Sequence, residues 1–111
     1  MIAEKYTEMS RQLRYPAIDL KRLEEIEDMA GKLNREKARE EYRNQLRAER
    51  IKHREEQSKI DEKFKIALFK EYDIENNPKR EKVFSMAWEM GHAEGYSCVE
   101  YHFSELVELI K

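Results

Sequence analysis

From residue 34 to residue 72 the chain runs without a single glycine or proline. Arg, Glu, Lys, Gln, Ala and Leu, all good helix formers, fill most of these positions. One helix of that length would be roughly 58 Å long, more than a compact domain of this size needs. Such a helix must find an apolar partner over part of its length or be held by its own side-chain pairs. The rest of the sequence has to be arranged around it.

Charged residues make up 41% of the chain and the hydrophobic set 40%, with three Gly and two Pro, which points to long helices rather than to β-structure. The 111 residues give room for one structural domain. The expected fold class is all-α, with a long coiled-coil-like central helix, a C-terminal helical hairpin and shorter N-terminal helices. Its segments are an N-terminal helical stretch at 1–33, the long charged helix at 34–72 and the hairpin at 77–111. A lone Cys98 leaves no internal disulfide and fits a reducing compartment. The first residues do not read as a signal peptide, and no apolar run is long enough to span a bilayer. These features predict a soluble intracellular protein with no membrane partner.

Taken in order, Ile2, Tyr6, Met9 and Leu13 stand at helical spacing, and Pro16 ends that helix because it disfavours the α conformation at Tyr15. Pro16 suits the first turn of the next helix, which carries Leu20, Leu23, Ile26, Ala30 and Leu33 on one stripe. Gly31 and Asn34 mark a candidate break. At about 100° per residue, Leu23 and Ile26 point nearly opposite to Ala38, Tyr42 and Leu46, so an unbroken helix would need partners on two sides. Apolar positions become dense again at Ile60, Phe64, Ala67 and Leu68, part of a short 3-4-3-4 seam. Residues 47–59 lack such a seam and are expected to be held by pairs such as Glu49–Lys52 and Glu55–Lys59. Asn77 and Pro78 read as the N-cap and first residue of a helix with Val83, Phe84, Met86, Ala87, Trp88 and Met90, expected to be the most buried element. Gly95 reads as its stop, and Ser97 with Glu100 as a capping box opening the last helix. Val99, Phe103, Leu106, Val107 and Ile110 line that helix. The hairpin is expected to pack on the 64–68 end of the long helix.

The core and self-association surface should therefore draw on Leu23, Ile26, Leu33, Ile60, Phe64, Leu68, Phe84, Trp88, Phe103 and Leu106. Two separated apolar stripes cannot both be hidden by one hairpin, which predicts a homodimer or higher oligomer.

One pattern on the long helix carries a possible function. Arg35, Arg39, Arg43, Arg47, Arg50 and Arg54, spaced 4, 4, 4, 3 and 4, share one broad face. A row of guanidinium groups pairs with carboxylates or phosphates. Glu36, Glu40, Glu41, Glu49, Glu55 and Glu56 are interleaved with it, which opposes phosphate and offers a plain alternative, a solvated and internally neutralised face. His92, Cys98 and His102 are the only metal-ligand types near one another, and Cys98 and His102 are four apart on one helix. A structural zinc site draws on two such pairs, so the sequence predicts no metal and no cofactor. Trp88, Tyr96, Tyr101 and Phe103 read first as core, with Tyr101 off the apolar face and a contact candidate. There is no phosphate-binding loop, nucleophile elbow or metalloprotease helix motif, and the expectation is a protein that is not an enzyme.

Residues 77–110 contain Pro78, Lys79, Ala87, Trp88, Gly91, His92, Gly95 and the closing Leu106, Val107, Glu108 and Leu109. This segment, about a third of the chain, resembles the tail of small accessory proteins encoded by tailed bacteriophages. Ala93 and Glu94 stand between His92 and Gly95 where a Ser is common in those tails. The resemblance implies expression in the cytoplasm of an infected bacterium and attaches no activity. Together these features lead to a phage-encoded, non-enzymatic binding protein that modulates or inhibits a bacterial host or defence protein through the arginine face. The alternatives are a nucleic-acid-binding protein using the same face and a structural coiled-coil assembly protein.

Overall fold

The computed structural model describes residues 2–110 and contains five helices and, among those residues, no strand. They are α1 (Ile2–Gln12), α2 (Leu20–Ala30), α3 (Arg35–Glu71), α4 (Arg80–Gly91) and α5 (Tyr96–Val107). The all-α class, the long central helix and the C-terminal helix pair are those expected from the sequence. The candidate break, which the sequence left open, is present: Gly31 takes a left-handed φ of 75° after α2, and Asn34 opens α3, its carbonyl accepting from Ala38 N at 2.9 Å. α3 ends in a Schellman motif. Ile74 N donates to Phe69 O at 3.0 Å and Asp73 N to Lys70 O at 3.3 Å, with Asp73 at φ 52° in the position glycine usually holds.

The chain packs as two units, one of residues 2–12 with 57–110 and one of residues 13–56, and α3 contributes to both. The sequence segments at 1–33, 34–72 and 77–111 follow helices; the packing divides the chain differently, inside the N-terminal segment and inside α3.

In the terminal unit, Phe64, Leu68, Val99, Phe103 and Val107 are fully buried, with Ala3, Tyr6, Ile60, Phe69 and Ala87 beside them. The rings of Phe64 and Tyr96 lie 4.8 Å apart, Tyr6 and Phe64 5.5 Å, and Phe69 and Phe103 6.1 Å, within the range of favourable edge contacts. The helix pair thus packs on the 64–68 end of α3 as expected. α5, with five buried residues, is more buried than α4, whose Met86 and Met90 are exposed. Phe84, Trp88 and Leu106 are half-buried rather than central. Gly91 lets α4 and α5 approach closely. A Cβ there would lie 2.7 Å from the backbone of Cys98 and Val99.

Two cap expectations are corrected. α4 begins two residues beyond Pro78, because the Asn77 carboxamide accepts from Lys79 N at 2.8 Å and closes a turn of its own. The Ser97–Glu100 capping box does not form. Gly95 occupies the N-cap of α5 at φ 119°, Ser97 is exposed, and Glu100 lies inside the helix. Glu100 is 6% exposed, and its carboxylate turns to another helix end, accepting from Ile2 N at 3.1 Å and Ala3 N at 3.3 Å. It satisfies two of the free N–H groups at the start of α1 and places a negative charge where that helix's dipole favours one.

The middle unit has a much smaller core. Tyr42 and Leu46 of α3 are its buried hydrophobic side chains, and α2 contributes none. Pro16 does not start α2. Residues 14–19 are irregular, and Asp19 is the N-cap, its carboxylate accepting from Arg22 N at 3.3 Å while its own N–H donates to the Tyr42 hydroxyl at 3.0 Å. The expected core stripe is only partly realised. Leu23 and Ile26 are half-buried, Leu20 is exposed, and Leu33, in the turn after α2, is 99% exposed.

Replacing Glu100 with Gln is expected to lower the stability of the terminal unit by about 1–2 kcal/mol, since two charge-assisted bonds to separate oxygens give way to one neutral bond and the carboxamide NH2 cannot accept the other. Urea unfolding followed by emission of Trp88, the sole tryptophan, measures it.

Candidate partner-binding face

Five of the six arginines in the α3 row separate into two groups once the middle unit is folded, while Arg35, exposed at the start of the helix, acts only through its charge on Glu27. Arg39 reaches back to α2 and holds Glu27 with two bonds, Nε to Oε1 at 2.6 Å and Nη2 to Oε2 at 3.3 Å. The bond from Arg39 holds the Glu27 carboxyl below its usual range, helped by the charges of Arg39 and Arg35. Arg50 donates from Nε to the Pro16 carbonyl at 3.0 Å, and its guanidinium lies 5.2 Å from the Tyr15 ring centre. Tyr15 in turn meets His53 edge-on at 5.5 Å. These contacts satisfy a carbonyl in a segment with no helical partner of its own. Arg39 and Arg50 therefore hold α2 and the 14–19 segment against α3.

Arg43, Arg47 and Arg54 differ. All three are exposed, and among the described residues none has an ion pair, side-chain hydrogen bond or ring contact. With Arg50 they rim a depression of about 290 Å³ whose apolar floor is Ile18, Leu46 and Ile51. Leu46 is buried, whereas Ile18 and Ile51 are about half open to solvent. A second, polar depression of about 450 Å³ lies along the same helix, between Glu36, Arg39, Glu40, Arg43, Asn44 and Arg47. Ahead of residues 47–59, Tyr42 and Leu46 form a packing seam, and its partner is the stretch around Tyr15 to Asp19. Residues 14–19 are irregular and carry no helical period, so no sequence signal marks the Ile18 side of the depression. The Glu49–Lys52 and Glu55–Lys59 pairs are not formed among the described residues; Lys65 with Glu62 and with Glu81, both at 3.2 Å, are formed instead.

The other candidates fall in the terminal unit. His92 Nδ1 lies 2.8 Å from Trp88 O, and its ring stacks on the indole. Cys98 donates its thiol to Glu94 at 3.3 Å, and that bond pushes the thiol above its ordinary value. His102 Nδ1 is buried with no hydrogen-bond partner among the described residues. The three are not gathered as a ligand set, and among the described residues no other group of three or more His, Cys, Asp or Glu is placed to hold a metal ion. Tyr96 and Phe103 belong to the core, while Tyr101 is 60% exposed, its phenol pushed up by a bond to Glu105.

The division of labour along the arginine row is measurable. Arg50→Gln should weaken protection of the α3 amides from residue 38 to residue 50 against hydrogen exchange by about 1 kcal/mol, through loss of its bond and ring contact. Arg47→Gln should change it by less than about 0.5 kcal/mol.

The chain matches a family described as "Family of unknown function (DUF8546)" over residues 4–111, a span that includes both units, and it belongs to that family. No curated protein and no solved structure matches it.

Proposed function

We propose that this family member is a phage-encoded, non-enzymatic binding protein that modulates or inhibits a bacterial host or defence protein. The observation that carries the reading is the split of the arginine row. Two guanidinium groups stabilise the fold, and Arg43, Arg47 and Arg54 stand free around an apolar floor. Arginine rims around desolvated apolar anchors are the composition of protein interfaces, where a few such residues dominate affinity. The partner chemistry that fits is an acidic surface carrying one apolar side chain, the carboxylates meeting the rim and the apolar group the Ile18–Leu46–Ile51 floor. A helix holds the three arginines at fixed spacing, which limits the entropy lost on binding.

Phage origin and action in the cytoplasm of an infected bacterium are supported by the pattern at 77–110. Among the described residues no helix is long and apolar enough to cross a membrane. Self-association into a homodimer or higher oligomer is part of the same reading, because the middle unit leaves Leu20, Met29 and Leu33 uncovered. Nucleic acid fits less well. Glu36 and Glu40 share the polar depression with Arg39, Arg43 and Arg47, and an apolar floor offers nothing to a phosphate backbone.

Affinity capture from bacterial lysate with the wild type and with the Arg43→Gln, Arg47→Gln, Arg54→Gln triple variant tests this. The expected result is a specific acidic bacterial protein whose purified form binds the wild type at least about tenfold more tightly than the variant. Equal binding by the two chains contradicts the reading. Tight, steeply salt-dependent binding of a labelled duplex, lost in the triple variant, would replace it with the nucleic-acid alternative.

A further inference from the structure

In the terminal unit, α3 and α4 leave a groove between them. Two depressions, of about 380 and 410 Å³, share Asp61 and Trp88 in their walls. One side of the groove is a ladder of rings spaced four residues apart on α4. Phe84 and Trp88 stack at 5.8 Å, and Trp88 and His92 at 5.5 Å and 9°. The ladder follows from its i, i+4 spacing, which places successive side chains over one another on a helix.

The opposite wall is polar and fixed. Asp61 Oδ1 accepts from the Tyr96 hydroxyl at 2.5 Å and from Gln57 Nε2 at 3.3 Å. Gln57 Oε1 accepts in turn from the Ser10 hydroxyl at 2.9 Å. Both donors converge on one carboxylate oxygen, so Asp61 is held in a single orientation and its Oδ2 accepts neither bond. Burial and the neighbouring Asp61 also push the Tyr96 phenol well up, keeping it a donor.

The charge balance around the groove is negative. Asp61, Glu62, Glu81 and Glu89 face Lys65 and Arg11 in the two depressions. Lys65 is already held by Glu62 and Glu81, each at 3.2 Å, and Arg11 pairs with Glu8 at 3.8 Å. Asp61 and Glu89 are left without a cationic partner among the described residues.

We propose that this groove docks a basic segment of another protein. An arginine or lysine lays its alkyl stem on the Phe84–Trp88–His92 ladder and brings its charged head to Asp61 Oδ2, and a second base meets Glu89. Long cationic side chains match such a site because an apolar stem and a charged tip are satisfied by different walls. Each depression is of the size that takes a small ligand, so the two together accept several residues of chain rather than one amine. The surface is separate from the arginine face and has the opposite charge preference.

Trp88 is the chain's only tryptophan, so its emission reports on the groove. The full chain is titrated with a fluorescein-labelled octapeptide of alternating Arg and Ala and with its Glu-for-Arg counterpart. The expected result is binding of the Arg peptide alone, with a change in Trp88 emission that follows the anisotropy of the label. Asp61→Asn should weaken it about tenfold and Glu89→Gln severalfold, with Glu24→Gln on α2 unchanged. Asparagine can still accept from Tyr96 and Gln57, and an unaltered circular dichroism spectrum verifies that D61N is folded. Equal binding by D61N, or binding without a Trp88 response, overturns the proposal. Arginine amide binding as tightly as the octapeptide overturns the assignment to a chain segment. A wild-type dimer that D61N converts to monomer overturns the assignment to another protein, since a second copy would then fill the groove.

Discussion

A buried carboxylate at the start of a helix ninety-seven residues away is the interaction on which the terminal unit depends. α1 has eleven residues, a length at which an isolated helix is marginal in water. Its buried side chains are Ala3 and Tyr6, the latter packed against the rings of Phe64 and Tyr96. Glu100 satisfies two otherwise free donors at the end of that helix and ties it to α5. A charge this buried is tolerated because its oxygens are hydrogen-bonded; with α1 absent it would be an unpaired ion among apolar neighbours. Helix and carboxylate therefore stabilise each other, and the Phe64 cluster is covered only when both are in place.

The middle unit follows a different logic. With Tyr42 and Leu46 as its buried hydrophobic side chains, it has little apolar area to hold it together. Polar contacts take a larger share: the Glu27–Arg39 pair, the Arg50–Pro16 bond with its Tyr15 contact, and the Asp19–Tyr42 bond. The chain thus has one unit closed by packing and one latched by side-chain bonds.

How far the sequence reached depended on whether a signal was periodic. The Gly- and Pro-free run gave α3 to within one residue at either end, and the spacing of Ile60, Phe64 and Leu68 gave its docking face. Gly31 marked where a break could fall but not that it would; as glycine it takes the left-handed conformation there without steric penalty. The failures were long-range. Glu100 stood where a local capping box would place it, and nothing in the spacing says that it serves residues 2 and 3. Asp73 takes a glycine's role in ending α3 without being glycine. The arginine row was legible as a row, but the separation of Arg39 and Arg50 from Arg43, Arg47 and Arg54 needed their partners, Glu27 on α2 and the irregular 14–19 segment. The groove at Asp61 was invisible for the same reason, since α1, α3, α4 and α5 each contribute to it.

Amide hydrogen exchange at Ala3 and through α1, compared with α5, tests the account most directly. If Glu100 closes the terminal unit, α1 and α5 should show the same opening free energy in the wild type. Glu100→Ala should then abolish protection at Ala3 and lower it throughout both helices, leaving the α3 amides from residue 38 to residue 50 unchanged. Protection of Ala3 that survives the substitution, or a loss confined to that one amide, would contradict it.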